Sequence, residues 1–113
     1  SMLVYGKNVA KDLIEKNKFI KKIIIQDGFS DKEIISLIEK NNLRVDIKSK
    51  KEIDNLCPGV NQGIILDIPD YSYYDLKELL HDSNCEIVVI LDHIEDETLK
   101  QKIEAEFANK LMN

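Results

Sequence analysis

Several residue types are scarce in this sequence: its 113 residues include no tryptophan, four glycines, two prolines, two cysteines and one arginine. No run of eighteen apolar residues occurs, and no signal-type apolar stretch follows the first lysines. We therefore expect neither a membrane span nor a secretion signal, and a cytoplasmic protein. The length allows one compact domain, or one small domain and the beginning of another, and excludes a large two-domain enzyme.

Residues that could bind a metal or form a disulfide are few and poorly spaced. Cys57 and Cys85 lie far apart without a C-x-x-C spacing, which favours two reduced, buried thiols over a disulfide. His81 lies four residues before Cys85, and His93 lies among acids, but neither group has a third separated ligand. We therefore predict no metal site.

Charge is unevenly distributed along the chain. The net charge at pH 7 is −5, yet residues 1–56 carry +3 and residues 57–113 carry −8. Because salt screens charges beyond about 8 Å at physiological ionic strength, a basic half can bind phosphates although the other half is acidic. The same lysines could also serve only to keep the protein in solution.

Three helices are predicted in the first half of the chain from their starts and their apolar spacing. The pairs Ser30–Glu33 and Ser49–Glu52 have the S-x-x-E capping-box spacing, in which two side chains satisfy backbone amides at a helix start. A further helix is predicted over residues 8–17, with Asn8 as its cap. Its apolar stripe consists of Val9, Ala10, Leu13 and Ile14.

Short runs rich in β-branched residues predict the strands. Unbroken apolar runs suit strands that are covered on both faces, as in a mainly parallel sheet between helices. We therefore predict an α/β/α sandwich with a mainly parallel central sheet. Pro58 and Gly59 predict a loop that reaches Gly63. The strand runs are residues 23–25, 45–47, 64–68 and 87–91.

The last third of the chain is predicted to differ from the first unit. Residues 70–96 are interpreted as a linker followed by a helix and an extra strand. Residues 97–113 are predicted to form an amphipathic helix, because apolar residues recur there every four positions. Those residues are Leu99, Ile103, Phe107 and Leu111.

Two segments carry residues suited to binding an anion. In LVYGKNVAKDLIEKN, a glycine allows a sharp turn, and an asparagine and two lysines stand near the first amides of a helix, where phosphate binds well. In PGVNQGIILDI, two side-chain amides can donate hydrogen bonds, and a glycine permits close approach of a ligand. Lysines at the start of the third helix add cations. The candidate RNA-binding residues are Gly6, Lys7, Asn8, Lys11, Lys48, Lys50, Lys51, Asn61, Gln62 and Gly63.

The same two segments carry a family likeness. LVYGKNVAKDLI and VNQGIILDI resemble the opening and closing motifs of the substrate-binding domain in SpoU (TrmH-like) RNA ribose 2′-O-methyltransferases, and SKKEIDNL is similar to the stretch before its last strands. The resemblance covers residues 3–69 and implies an L30e-like fold, shared with the L7Ae family of RNA-binding proteins. The family usually has histidine where this chain has Asn61.

Family members continue into a knotted catalytic domain that binds S-adenosylmethionine, and DLKELLHDSNCEIVVILDHIED resembles its entry. In the family, proline, asparagine, glycine and a reactive arginine follow that strand. Here Glu97, Thr98 and Leu99 follow, and Arg44 is the only arginine. The resemblance thus implies no catalytic residue and no cofactor in this chain, and a parent enzyme that uses S-adenosylmethionine.

The leading hypothesis is an RNA-binding domain that recognises substrate for a guanosine 2′-O-methyltransferase acting on 23S rRNA or tRNA. Its partner would be structured RNA, recognised mostly by shape. The alternative is a truncated paralogue whose C-terminal helix, residues 97–113, binds a protein or pairs with itself, giving a monomer or a weak homodimer. A stand-alone kink-turn binder of the L7Ae type is a third hypothesis, which the acidic second half disfavours.

Overall fold

Helices and strands alternate along the chain, as the apolar pattern predicts. The computed structural model describes residues 2–16, 20–69 and 97–112. The predicted strand at 87–91 and the linker at 70–96 lie outside these ranges. Within the ranges, the elements are β1 (Met2–Tyr5), α1 (Lys7–Lys16), β2 (Lys22–Gln26), α2 (Lys32–Lys40), β3 (Val45–Lys48), α3 (Lys50–Leu56), β4 (Ile64–Ile68) and α4 (Glu97–Met112).

The sheet is mixed, and the prediction of a mainly parallel sheet is wrong. The strand order is β1-β4-β2-β3, in which β2 and β3 are parallel while β4 is antiparallel to both of its neighbours. Strands β1, β2 and β3 run in the same direction, as alternation with helices requires. However, β4 enters between β1 and β2 in the opposite direction, so two of the three neighbouring pairs are antiparallel.

Helices cover both faces of the sheet. On one face, α1 and α2 pack against alternate residues of β4 and against Val4 and Ile23. On the other face, α3 packs through Ile53 and Cys57 against Ile24 and Ile65. The predicted apolar stripe of α1 is buried in full. Cys57 is buried, as predicted, and Cys85 lies outside the described residues.

The starts of the three helices correct two predictions. Ser49 caps α3 as predicted, because its hydroxyl accepts a hydrogen bond from the Glu52 amide at 3.2 Å. The cap of α2, however, is Asp31 rather than Ser30, and its carboxylate accepts from the Ile34 amide at 3.1 Å. Asn8 does not cap α1, since the helix already begins at Lys7 and Asn8 lies exposed in its first turn.

The predicted C-terminal helix is present, and it is connected to the core. Ile103 of α4 is 1% exposed and belongs to the same apolar cluster as α1, α2 and β4. In the part of the chain that the structure describes, no helix is long and apolar enough to span a bilayer.

Candidate nucleic-acid interface

The candidate site lies at one edge of the sheet, where the last residues of three strands meet the first residues of the fourth. Strands β1, β2 and β3 end at this edge, and β4 begins there. Because a helix follows each of the first three strands, α1, α2 and α3 all start at this edge as well. Helix N-termini carry a partial positive charge from aligned peptide dipoles. The topology therefore directs three positive helix ends toward one side of the molecule.

Lysine occupies the first position of each of these helices, at Lys7, Lys32 and Lys50. A cation at a helix N-terminus is unfavourable by about 0.3–1 kcal/mol, because it faces the positive end of the dipole. The position of these three lysines relative to the helix dipoles therefore does not stabilise the helices. They add positive charge to an edge where the helix ends already attract anions.

An open groove of about 420 Å³ lies at this edge. Its walls are the start of α1, the turn after β2, the start of α3 and the loop before β4. The lining residues are Lys7, Gln26, Gly28, Phe29, Ser30, Lys50, Asp54, Gly59, Val60, Asn61, Gln62 and Gly63.

The two segments whose residues suit anion binding meet in this groove. The Gly6 amide donates to the Ile64 carbonyl at 3.2 Å, and the Lys7 amide donates to Gln62 Oε1 at 2.7 Å. Gln62 thereby caps α1, which is the role that the sequence suggested for Asn8. The start of α1 and the loop before β4 thus form one continuous surface.

The loop before β4 turns through two consecutive left-handed residues. Gln62 has φ +57° and Gly63 has φ +78°. A side chain at position 63 would also be crowded, because a Cβ there would lie 3.3 Å from the Gln26 Cβ. The positive φ therefore favours glycine at position 63, and the close approach of Gln26 adds to that preference. A left-handed glutamine is uncommon, and such backbone strain is concentrated at functional sites.

Asn61 organises this loop from inside. It is 5% exposed, and its amide nitrogen donates to the Asp54 carboxylate at 3.0 Å and to the Cys57 carbonyl at 2.9 Å. Its amide oxygen accepts from the Gly63 amide at 2.8 Å. Since both ends of its side chain are engaged, Asn61 shapes the groove wall rather than offering hydrogen bonds to a ligand.

Acids pair with most of the lysines at this edge. Lys50 Nζ lies 2.6 Å from Asp54, which also bonds Asn61; these contacts, the lysine first, lower the pKa of Asp54. Lys7 Nζ lies 3.7 Å from Asp31, whose pKa is lowered first by the Ile34 amide. Exposed pairs such as Lys50–Asp54 are weak, and they leave the lysine accessible to a phosphate.

Two further predicted cations form pairs beside the groove. Lys11 Nζ lies 2.9 Å from Glu33, and this hydrogen bond raises the pKa of Lys11. Lys48, the last residue of β3, has its Nζ 3.7 Å from Glu52 in the first turn of α3. Neither lysine lines the groove, and Lys48 lies in a separate small depression with Asn55 and Leu56.

The structure thus brings together half of the predicted site residues. Gly6 adjoins the groove through its bond to Ile64, whereas four predicted residues do not line it. The predicted residues that line the groove are Lys7, Lys50, Asn61, Gln62 and Gly63. Those that do not are Asn8, Lys11, Lys48 and Lys51.

The candidate site residues chosen from the sequence did not include the turn after β2 or the tip of the loop before β4. Gln26 and Phe29 line the groove, and Lys7 Nζ lies 5.8 Å from the centre of the Phe29 ring. Gly59 also lines it, packed so closely that a Cβ would lie 2.5 Å from the Tyr5 hydroxyl oxygen. Glycine was the available signal, since three of the four glycines in the chain line this groove and the fourth, Gly6, adjoins it.

Among residues 2–16, 20–69 and 97–112, no group of three or more potential metal ligands comes together. The predicted weak candidates His81, Cys85 and His93 lie outside those ranges.

Comparison with protein families identifies the chain. Residues 3–74 match the family described as RNA 2′-O ribose methyltransferase substrate binding, SpoU_sub_bind. That match covers more than half of the chain, including α1, the loop before β4 and, apart from Met2, all four strands. The chain therefore belongs to the family of substrate-binding domains of RNA 2′-O ribose methyltransferases, as the resemblance of its motifs implies.

Similar proteins carry names that place them in the TrmH family of tRNA/rRNA methyltransferases. The chain is 28% identical over 102 residues to one from Staphylococcus haemolyticus and 29% identical to one from Staphylococcus saprophyticus. In both, the match covers 84% of this chain and 41% of the relative. A relative from Bacillus subtilis, YacO, is 22% identical over 100 residues. The chain thus spans about 41% of the length of these staphylococcal relatives.

Proposed function

We propose that this chain is the substrate-recognition domain of a TrmH-type guanosine 2′-O-methyltransferase acting on 23S rRNA or tRNA, and that it adopts an L30e-like fold. The groove at the helix-start edge binds the sugar–phosphate backbone of a structured RNA in the cytoplasm. Lys7 and Lys50 contact phosphates of that backbone. Residues 3–69 form the RNA-binding unit, and residues 70–96 lead toward the catalytic part of the parent enzyme.

The arrangement of lysines carries this proposal. All three helices that follow β1, β2 and β3 begin with lysine at the same edge of the sheet, where each cation opposes a helix dipole. An anionic ligand removes that conflict, because it is attracted both by the lysines and by the helix ends. Lys51 extends the same positive edge and is exposed. A polyanion with regularly spaced phosphates therefore suits this edge better than a neutral ligand does.

The methyl donor does not suit this groove. S-adenosylmethionine carries a sulfonium and an ammonium, whereas the groove presents Lys7 and Lys50, and its carboxylate, Asp54, is already engaged by Lys50 and Asn61. We therefore assign the donor to the portion of the parent enzyme that corresponds to the rest of the relatives' length. The described residues position RNA and perform no methyl transfer.

The alternative, a protein-interaction module formed by the C-terminal helix, has less support. Ile103 lies in the middle of the predicted apolar stripe, and it is buried in the core of this same chain. An apolar residue that is already buried in the core cluster of its own domain does not serve a partner. The observation favours a C-terminal helix that docks on its own domain.

A salt titration with charge variants tests the proposed function. The full chain is mixed with an rRNA hairpin or tRNA, and Kd is measured by filter binding over a range of salt concentrations. The double variant K7A/K50A is expected to bind more weakly. Its slope of log Kd against log salt should fall by about 0.7–0.9 for each phosphate that the variant no longer neutralises.

The matched control is K21A/K40A, which removes the same charge from the opposite edge. Lys21 precedes the start of β2 and Lys40 ends α2, so both lie away from the groove, and both are exposed. The control should retain the wild-type slope. Equal weakening by the two double variants, or a Kd that ignores salt, would refute the proposed interface.

A further inference from the structure

The groove contains more than a phosphate contact requires. Its loop carries Val60 at the tip, 82% exposed, and Phe29 lies in the same groove on the turn after β2. Only one other large apolar side chain is similarly exposed in the described part of the chain, namely Ile47 on the edge strand β3, at 66%. Lysines alone would be sufficient to bind the phosphates of an RNA backbone. The apolar surface therefore indicates that the groove also binds an apolar part of the RNA.

Glycines leave space in the groove for that part of the RNA. Gly28, Gly59 and Gly63 line the groove and carry no side chains that would fill it. The resulting volume of about 420 Å³ lies within the range of about 300–1,000 Å³ found for small-ligand pockets. Because the groove is open, a paired RNA helix can lie across it, whereas a single unstacked nucleotide is small enough to enter it.

The polar groups around the apolar surface match the edges of a nucleobase. Gln26 lines the groove with a primary amide, which offers both a donor and an acceptor, as base edges do. Gln62 Oε1 accepts from the Lys7 amide, an arrangement that fixes the orientation of its NH₂ group, a donor of two further hydrogen bonds. Lys7 and Lys50 also line the groove, at the starts of helices that pack on opposite faces of the sheet, and they would contact the flanking phosphates.

We propose, on the basis of the proposed function, that this groove captures a single unpaired nucleotide from an RNA loop. The base lies against Val60 and the exposed part of Phe29, while Gln26 and Gln62 bond its edge. Unpaired bases are the part of RNA that proteins read by stacking and by hydrogen bonding, because A-form helices hide their base edges. The domain would therefore distinguish a looped RNA from a fully paired one.

The experiment compares Val60→Ser with Ile47→Ser in the full chain. Both changes replace an exposed apolar side chain with the same polar one, but only Val60 lines the groove. Two RNAs are used, a hairpin with an unpaired loop and a blunt duplex with the sequence of its stem. V60S is expected to weaken hairpin binding by about five-fold, the equivalent of about 1 kcal/mol for one base contact, and to leave duplex binding and the salt slope unchanged.

Abasic substitutions along the hairpin loop locate the captured nucleotide. One position is expected at which removal of the base weakens wild-type binding but weakens V60S binding no further, as coupled partners behave in a double-mutant cycle. The inference is overturned if V60S and I47S have equal effects, if V60S weakens duplex binding equally, or if every loop base is dispensable. If this pattern is absent but binding still depends on salt, Lys7 and Lys50, only the nucleotide pocket is refuted. Failure of the wild type to bind either RNA refutes the proposed function as well.

Discussion

Asp54 shows how a single side chain links the charge of the groove to its shape. Its carboxylate contacts Lys50 at 2.6 Å and Asn61 at 3.0 Å, so it holds a lysine of α3 against the loop that forms the opposite wall. Asn61 in turn fixes Gly63 and Cys57. The position of Lys50 and the conformation of the loop are therefore coupled through one carboxylate.

Replacing Asp54 with asparagine is expected to weaken the pH dependence of stability. Lys50, and to a smaller extent Asn61, lower the pKa of Asp54 below its ordinary 3.8. A carboxyl with a lowered folded-state pKa stabilises the folded chain above the unfolded pKa and loses this effect as pH falls through the folded pKa. Urea denaturation should therefore give D54N a lower free energy of unfolding than wild type near neutral pH, with the difference disappearing in acid below 3.8.

Glu39→Gln is the control for this experiment. Glu39 is exposed on α2, and its carboxylate forms no ion pair with another residue of the described ranges. Its substitution should leave the pH profile of stability close to that of the wild type. A difference between D54N and wild type that persists unchanged into acid would show that the Asp54 carboxylate contributes nothing through its charge.

Among the secondary-structure elements, the starts of the helices contribute both to the stability of the fold and to the shape of the site. Each of the first three helices begins with a cap that occupies one amide, supplied by Gln62 for α1, Asp31 for α2 and Ser49 for α3. Two of these caps are local in sequence, whereas Gln62 reaches α1 from the other end of the domain. The cap of α1 is therefore a tertiary contact that closes one side of the groove.

Ser49→Ala is expected to lower the free energy of unfolding by about 1 kcal/mol, because the Glu52 amide at the start of α3 loses its acceptor. Chemical denaturation measures the loss. Ser30→Ala is the matched control: Ser30 has the same S-x-x-E spacing, but Asp31 caps α2, so the change should stay within about 0.5 kcal/mol. An equal loss for both variants would contradict the assignment of Asp31 as the cap.

At the scale of the whole molecule, two apolar clusters on opposite faces of the sheet hold the layers together. The larger cluster joins α1, α2 and the sheet, and it includes Ile103 of α4. The smaller one joins α3 to the other face. Because Ile103 is distant in sequence from the rest of its cluster, the C-terminal helix contributes to the same core that positions the groove.

Ile103→Ala is expected to destabilise the chain by about 2–5 kcal/mol, because it removes a buried apolar side chain from a packed core. Equilibrium denaturation of the full chain measures the change. Glu104→Ala, at an exposed neighbouring position of the same helix, should change stability by no more than about 0.5 kcal/mol. If both variants were equally stable, α4 would not be part of the core, and the interaction-module hypothesis would gain weight.

Most of the helices and strands of this protein, and the faces that they bury, can be predicted from the amino-acid pattern alone. Hydrophobic spacing located α1, α2, α3 and three of the strands, because burial on one face imposes a period that is readable locally. It did not predict β1, Met2–Tyr5. The two glycine-containing turns of the site were also readable, since glycine is required where φ is positive.

How these elements meet depends on contacts between residues that are distant in sequence. An apolar run does not encode strand direction, so the insertion of β4 between β1 and β2 could not be read from the pattern. The Lys7–Gln62 hydrogen bond joins residues 55 positions apart, and this approach brings the start of α1 to the loop that lines the groove. Local periodicity reports which residues are buried, whereas a binding site depends on which distant residues become neighbours.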